Sequence, residues 1–575
     1  MIKIFLLIVF VFGMSCSSKN LRQAQLIKGK SKDQYEAYGT KYMISTQGKA
    51  TTEAAKYVFD RGGNIYDAAV AASFAISVER PHSTGIGGGG FMLIHNAMTK
   101  KDVAYDFREM APQKSHSKMF LDKKGKQIRK KSLTGALASG TPGLVAGVIR
   151  VHKELGSLSL KEVMQPAIDL AQKGFKIYPA LAVAIKAKAD DLCRFSDAKR
   201  IFLNSNCSAK KEGELLVQKD LAKTLKKIAQ TNGKAFYYGD IGKKIIASQK
   251  QYGGNMRMSD LNNYVVKKRK PIEGSYRGHK IVSMPPPSSG GTHIIQILNI
   301  LEGLNLRQYG AQSAKSIHMT SAAMQMAFAD RAKHMGDSDF KPIPIKKLIS
   351  KKYAKKLQNK IKNKAINSKE LPVDLNKILK ESDHTTHFTL MDSLGNIVTS
   401  TQTINGWFGS SVVAKGTGIV MNNEMDDFAS HVGGVNLFGA IGGQNNLVEP
   451  MKRPLSSMSP TIVYDKKNKP FFALGTPSGT RILTCVMQTI LNVLEYEMPL
   501  WEAVSATRYH HQWYPEEIRV GPPFFDSNTE SHLKKMGYKI NHKSLGCKIQ
   551  AIMREGDGRL HGVSDPREEG MSFGL

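Results

Sequence analysis

Three features of the chain predict an α+β fold. Helical periodicity runs through its N-terminal half, strand alternation begins at Thr385, and a Lys- and Pro-rich stretch separates the two. With 575 residues, 41% hydrophobic and 23% charged, the composition is that of a globular protein long enough to bury a sizeable core.

The first element is a leader. Lys3 supplies a positive start, Ile4 to Phe12 is an unbroken apolar run, and small residues follow at Gly13 and Ser15. The run is too short to span a bilayer, so residues 1–15 are read as an export signal. Cys16 stands where a bacterial lipoprotein is cut and acylated, and the polar Ser17-Ser18-Lys19-Asn20 follows it. Gly13 occupies the position where such signals usually carry a Leu-like residue. Lipid anchoring at Cys16 and soluble export to the periplasm both fit.

Next come helices. Ala54, Ala55, Val58 and Phe59 recur at helical spacing, and Gly62-Gly63 closes that helix. Tyr66 to Val78 continues as an Ala-rich segment with the character of a buried helix. Residues 143–175 and 215–250 alternate helical periodicity with Gly and Pro breaks. The Pro285–Gly291 loop leads into a helix over Thr292–Leu301, stopped by Gly303. Residues 340–384 are rich in Lys, Asn and Ser and broken by Pro342, Pro344 and Pro372. They read as an exposed, mobile connector suited to cleavage.

Strands begin immediately after it. Thr385 to Asp392 alternates, Ser393-Leu394-Gly395-Asn396 makes a turn, and Ile397 to Ile404 alternates again. Pairing Asp392 with Ile397 sets Thr385 against the Thr403–Ile404 end of the second strand, with Thr403 and Asn405 as polar neighbours.

Charge narrows the partners. Against 48 acidic residues stand 83 basic ones, a formal balance of +35. Such a field attracts nucleic acid, anionic membranes or acidic small molecules. The lysines are dispersed, however, and densest at Lys346, Lys347, Lys351, Lys352, Lys355 and Lys356. No basic stripe is interleaved with aromatics, so a solvated surface is expected and nucleic acid is not. Cys193 and Cys207 lie close enough in sequence for one local disulfide, or stay as two thiols. No Cys or His spacing suggests a zinc site.

Thr385 offers chemistry if it begins a chain. A threonine hydroxyl is a poor nucleophile until a base takes its proton, and a residue's own α-amine serves only when that residue is N-terminal. That amine titrates near pH ~8 and is partly unprotonated at neutrality. The scheme requires scission between His384 and Thr385. The same hydroxyl can attack the preceding carbonyl, form an ester and let water release the upstream piece, with Thr403 holding it by hydrogen bond. A Thr-Thr pair alone signals no more than β-propensity.

Longer strings add to this. They are Ser83–Met92 (STGIGGGGFM), Asp106–Pro112 (DFREMAP), Ser139–Gly143 (SGTPG), Met284–Gly291, Thr385-Thr386-His387, Asn422–Phe428 (NNEMDDF) and Lys452–Thr461 (KRPLSSMSPT). Through them the chain, from about residue 40 to its end, resembles the γ-glutamyltransferase family of the N-terminal nucleophile hydrolase superfamily. The resemblance implies a four-layer αββα sandwich. A large subunit, 16–384, and a small catalytic subunit, 385–575, would remain together as a heterodimer built on one core.

It also implies roles. Thr385 is the nucleophile, Arg108 and the hydroxyls of Ser456 and Ser457 hold a substrate α-carboxylate, and Asp427, Glu424 and Asn405 hold its α-ammonium. Ser478-Gly479 stands where the family has a Gly-Gly pair whose N–H groups serve the oxyanion, so Ser478 needs a backbone conformation that suits a side chain. Phe438, in the loop 429–445, stands where relatives have a lid Tyr bonded to the residue matching Asn405; a phenyl ring covers the pocket without that bond. The implied reaction moves γ-glutamyl groups from glutathione and γ-glutamyl amides to water or to amino-acid or peptide acceptors, without metal or organic cofactor.

Other readings are weighed against it. Gly85, Gly87 and Gly90 match a dinucleotide-loop spacing but follow a helix, not a strand. The acidic run 424–427 lacks calcium-loop spacing, and neighbouring His510 and His511 point to opposite faces of a strand. An exported acylase of the cephalosporin-acylase type on the same scaffold is the alternative activity. An uncut, lipid-anchored binding protein is the non-enzymatic one.

Overall fold

A computed structural model describes residues 32–368 and 384–575. The leader 1–15, Cys16 and the Pro372 part of the connector lie outside them. Two seven-stranded antiparallel sheets are stacked face to face. From edge to edge the first runs Glu36–Gly39, Leu560–Ser564, Gln550–Arg554, Pro470–Gly475, Thr461–Tyr464, His279–Ser283 and Ile272–Tyr276. The second runs Met571–Gly574, Tyr42–Thr46, Thr386–Asp392, Ile397–Thr403, Gly89–Asn96, Lys101–Asp106 and Lys267–Arg269. Segments before and after His384 contribute strands to both sheets, so a cut there leaves one interlocked core.

Strand alternation builds the layers. Phe388 and Leu390 face the helical layer that holds Lys49–Phe59 and Ile65–Glu79. Met391 and Ile397 point the other way, into the apolar cluster shared with the first sheet and with the helices Gly290–Glu302 and Arg481–Leu494. Polar side chains also cross between the sheets: Ser45 Oγ donates to Gln550 Oε1 at 3.0 Å, and Thr389 Oγ1 to the Gln550 carbonyl at 3.1 Å. The whole is the expected four-layer αββα sandwich. Among the described residues no helix is long and apolar enough to cross a membrane.

Several local expectations hold in detail. The helix after Gly62-Gly63 opens with a capping box between Asn64 and Asp67, and its residues Ile65 to Glu79 are all buried. The predicted helix over Thr292–Leu301 spans Gly290–Glu302. The glycine stretch 87–90 permits close backbone contact: a Cβ would strike the carbonyls of Val420, Thr403, Phe107 and Thr401 in turn.

Three expectations need correction. The hairpin pairs Met391, not Asp392, with Ile397, one residue out of the predicted register. Its strands are Thr386–Asp392 and Ile397–Thr403, so Thr385 and Ile404 fall just outside them. The connector is not uniformly open, because Ile345–Leu348 and Lys351–Gln358 are helical and bury Leu348, Ala354 and Leu357. Cys193 and Cys207 form a disulfide, and so do Cys485 and Cys547, whose Cα atoms lie 6.6 Å apart across 62 residues of sequence. That separation hid the second pair from a reading of spacing.

Candidate active site

The start of the hairpin brings the reactive groups together. Thr385 has φ 106°, in the region that favours glycine, and its hydroxyl donates to Thr403 Oγ1 at 3.0 Å. The Asn405 N–H donates to the same oxygen at 2.8 Å, from a residue at φ 71°. The Asn405 amide in turn donates to the Asn423 carbonyl at 3.0 Å.

On the upstream side, the His384 carbonyl accepts the Ser478 N–H at 3.1 Å. A backbone donor thus already lies on the bond that cleavage would break, as an oxyanion site requires. Ser478 adopts φ 113° and Gly479 φ 54°. The serine tolerates its conformation because its side chain is tied down: its hydroxyl donates to the Leu545 carbonyl at 2.5 Å and accepts from Arg481 Nε at 3.1 Å. Three non-glycine residues at positive φ around one hydroxyl form a cluster of stored strain of the kind found at functional sites.

The second group of predicted residues lies beside it. Arg108, 1% exposed, forks onto two acids: Nη1 donates to Glu424 Oε1, and Nη2 to Asp427 Oδ2 at 2.6 Å. A third carboxylate, Glu109, is 3.8 Å from Nη1. Burial dominates the titration of Glu424 and Glu109. It holds the Glu424 carboxyl well above its usual range and raises that of Glu109 to about 7, although Arg108 pulls both downward.

Thr385, Arg108, Asn405, Asp427, Ser456, Ser457 and Gly479 line one recess. Phe438 closes it, packed so tightly on Gly479 that a Cβ there would lie 2.5 Å from Phe438 Cγ. The phenyl ring thus forms one wall of the recess. Two further lining residues, Arg331 and Asn436, escaped the sequence reading. Arg331 Nη2 donates to Ser457 Oγ at 3.3 Å, and Asn436 Nδ2 to Asp427 Oδ1 at 2.8 Å. Arg331 sits in a long buried helix and Asn436 in a glycine-rich loop, so neither carries a local signal.

Thr385 also borders a second recess, of about 460 Å³, together with Arg80, Trp407, Lys548 and Glu568. His510 and His511 are occupied structurally. His510 Nδ1 lies 2.9 Å from Thr484 Oγ1, and His511 Nδ1 accepts the Trp513 N–H at 3.2 Å.

The geometry suits acyl transfer: a held hydroxyl, a donor on the attacked carbonyl, and a cation-and-carboxylate pocket that matches a zwitterionic α-amino acid head. Comparison with known proteins agrees. The Gamma-glutamyltranspeptidase family model matches residues 51–575. A glutathione hydrolase proenzyme of Escherichia coli K12 is 43% identical over 528 residues, covering 91% of this chain and 90% of that one. Among solved structures, a cephalosporin acylase from Bacillus halodurans superposes with TM-score 0.83 at 25% identity, covering 96% and 98% of the two chains. The Helicobacter pylori gamma-glutamyltranspeptidase gives 0.56 at 41% identity, over 62% of this chain and 99% of that one.

Proposed function

The chain belongs to the gamma-glutamyltranspeptidase family, and we propose that it is a glutathione hydrolase and γ-glutamyltransferase made as a precursor that cuts itself before Thr385. In that step the Thr385 oxygen attacks the His384 carbonyl carbon and the carbon–nitrogen bond breaks. The Thr385 nitrogen takes up the proton as an amine. Water then hydrolyses the resulting ester, leaving a carboxylate on His384 and a free hydroxyl on Thr385. The Ser478 N–H on the His384 oxygen is the observation that carries this reading.

Turnover repeats the chemistry on substrate. The freed α-amine takes the Thr385 proton as the oxygen attacks a γ-glutamyl amide, and the departing amine leaves with a proton. The γ-glutamyl ester then passes to water, giving glutamate, or to an amino-acid or peptide amine. Arg108, Ser456 and Ser457 would receive the α-carboxylate, and Asp427, with Glu424 and Asn405, the α-ammonium. Ser478 and Gly479 would serve the oxyanion, with Thr403 orienting the nucleophile. Arg108 bonds to Glu424 and Asp427, so an incoming zwitterion would exchange one set of ion pairs for another. The leaving amine and the acceptor would use the recess lined by Trp407 and Lys548, which Thr385 borders on its other flank.

Subunits 16–384 and 385–575, and export through the leader with or without lipid on Cys16, complete the proposal. An acylase on the same scaffold fits the architecture, but a pocket built from Arg108 and Asp427 favours an amino-acid head over an apolar acyl chain. Denaturing gels and N-terminal sequencing test the cleavage, and hydrolysis of γ-glutamyl-p-nitroanilide tests the specificity. Thr385→Ala is expected to give one full-length, inactive band. Two fragments with activity from that variant would sink the assignment.

A further inference from the structure

The end of the sandwich remote from Thr385 has a distinct chemistry. The strand Thr386–Asp392 runs away from the nucleophile, so at ~3.3 Å per residue its turn lies roughly 25 Å off. Three turns converge there: residues 97–100, residues 393–396, and residues 465–469. They come from both sheets and border an open basin of about 1260 Å³.

Lys100, Lys280, Lys467, Lys469 and Arg554 line that basin. Lys280 sits over the Tyr464 ring at 3.7 Å and 3.9 Å from Asp102, and Arg554 donates to the Asp392 carbonyl at 2.9 Å. Lys100, Lys467 and Lys469 have no carboxylate partner among the described residues. The acids nearby are engaged: Asp102 accepts from Tyr464 Oη at 2.6 Å, and Asp465 accepts the N–H groups of Lys467 and Lys469 at 2.9 and 2.8 Å. These carboxylates keep their charge, but none of them lines the basin while five cations do, so its wall is net positive.

Apolar side chains stand on the same turns. Met98 is 89% exposed and Leu394 79%, the two highest values for large hydrophobic residues among those described. Apolar tips set among lysines match an anionic bilayer, whose phosphates meet the cations while the tips enter the headgroup boundary.

We propose that this end docks on an anionic phospholipid surface through Met98, Leu394 and the lysines of the three turns, independently of any lipid on Cys16. The charge of +35 attracts such a surface from any side, and these turns select one orientation. That orientation points the Thr385 end away from the bilayer, toward soluble substrate.

The test uses the full-length protein with Cys16→Ser, so that no acyl chain contributes. Sedimentation is compared for phosphatidylglycerol–phosphatidylcholine vesicles and for phosphatidylcholine alone. Binding is expected only to the anionic vesicles. It should weaken about fivefold for each lysine neutralised, hence about 25-fold for Lys467→Gln/Lys469→Gln. Met98→Ser/Leu394→Ser should weaken it at least fivefold without changing charge. Both double variants should keep parental turnover of γ-glutamyl-p-nitroanilide, which verifies their fold. Three results would each overturn the proposal. One is an equal loss from the charge-matched Lys243→Gln/Lys244→Gln on the helix Asp240–Gln251, whose Ser248 accepts the Lys415 N–H at the Thr385 end. The second is indifference to the Met98 and Leu394 changes with full displacement by heparin, which would mean an acidic polymer and not a membrane. The third is no anionic-vesicle binding at physiological salt.

Discussion

Thr403→Val isolates the hydrogen bond on the Thr385 hydroxyl. Valine keeps the shape of threonine and removes the oxygen that receives two buried donors, the Thr385 hydroxyl at 3.0 Å and the Asn405 N–H at 2.8 Å. Each stranded donor costs about 1–3 kcal/mol, and the two losses appear in different measurements. The Asn405 loss enters stability, lowering Tm by about 1 °C per kcal/mol in a chain of 575 residues, whose unfolding entropy at ~2.1 cal/mol/K per residue is large. The Thr385 loss enters the rate. A hydroxyl no longer held against the His384 carbonyl forfeits about 1.5–3 kcal/mol of positioning, and self-cleavage slows by ~10–100-fold. Precursor pulse-labelled in cell-free translation and followed on denaturing gels, well below Tm, reads that rate directly. Thr403→Ser restores the oxygen and should process at close to the parental rate. Parental-rate cleavage by Thr403→Val with a lowered Tm would refute the orienting role and leave the bond purely structural.

Other perturbations separate the remaining parts of the site. Arg108→Lys keeps the charge but loses the fork that reaches Glu424 and Asp427 together. Steady-state kinetics should show a kcat/KM for γ-glutamyl donors lower by ~30–100-fold, about 2–3 kcal/mol, while the bond before Thr385 is still cut. Gly479→Ala drives a methyl into the Phe438 ring, where Cγ lies 2.5 Å from the new carbon. The lid should lift, raising donor KM and speeding chymotryptic cutting at Phe438. The Glu109 carboxyl is raised from 4.5 to about 7 by burial, so the native state holds its proton more tightly than the unfolded chain. The resulting stability is present below pH 4.5 and is lost as pH rises through about 7, at most about 3 kcal/mol. Melting curves of Glu109→Gln should flatten over that window, and an unchanged slope would exclude Glu109 as the source.

Much of the molecule was legible in the chain because its signals are local. Helical spacing at Ala54 to Phe59, the closing Gly62-Gly63 and the alternation from Thr385 onward depend on side-chain direction within one element, which neighbouring residues set. The hairpin carried Thr403 to Thr385 even with its register one residue out, because a cross-strand neighbour remains near under such a slip. The strings around Arg108, Asp427 and Ser456 named the pocket before it could be seen.

Sequence alone therefore determined the fold class, and it put forward Thr385 and the residue types expected around it. Tertiary structure decided what depends on groups far apart in the chain. It tied the Ser478 side chain to Leu545 and Arg481, so that a serine holds a glycine-like φ, and it joined Cys485 to Cys547. It brought Arg331 and Asn436 into the recess from elements with no motif. It also set Met98 and Leu394 on turns of neighbouring strand pairs at one end of the sandwich. Each of these results from packing across long loops, and chain proximity holds no record of which distant surfaces come to face each other.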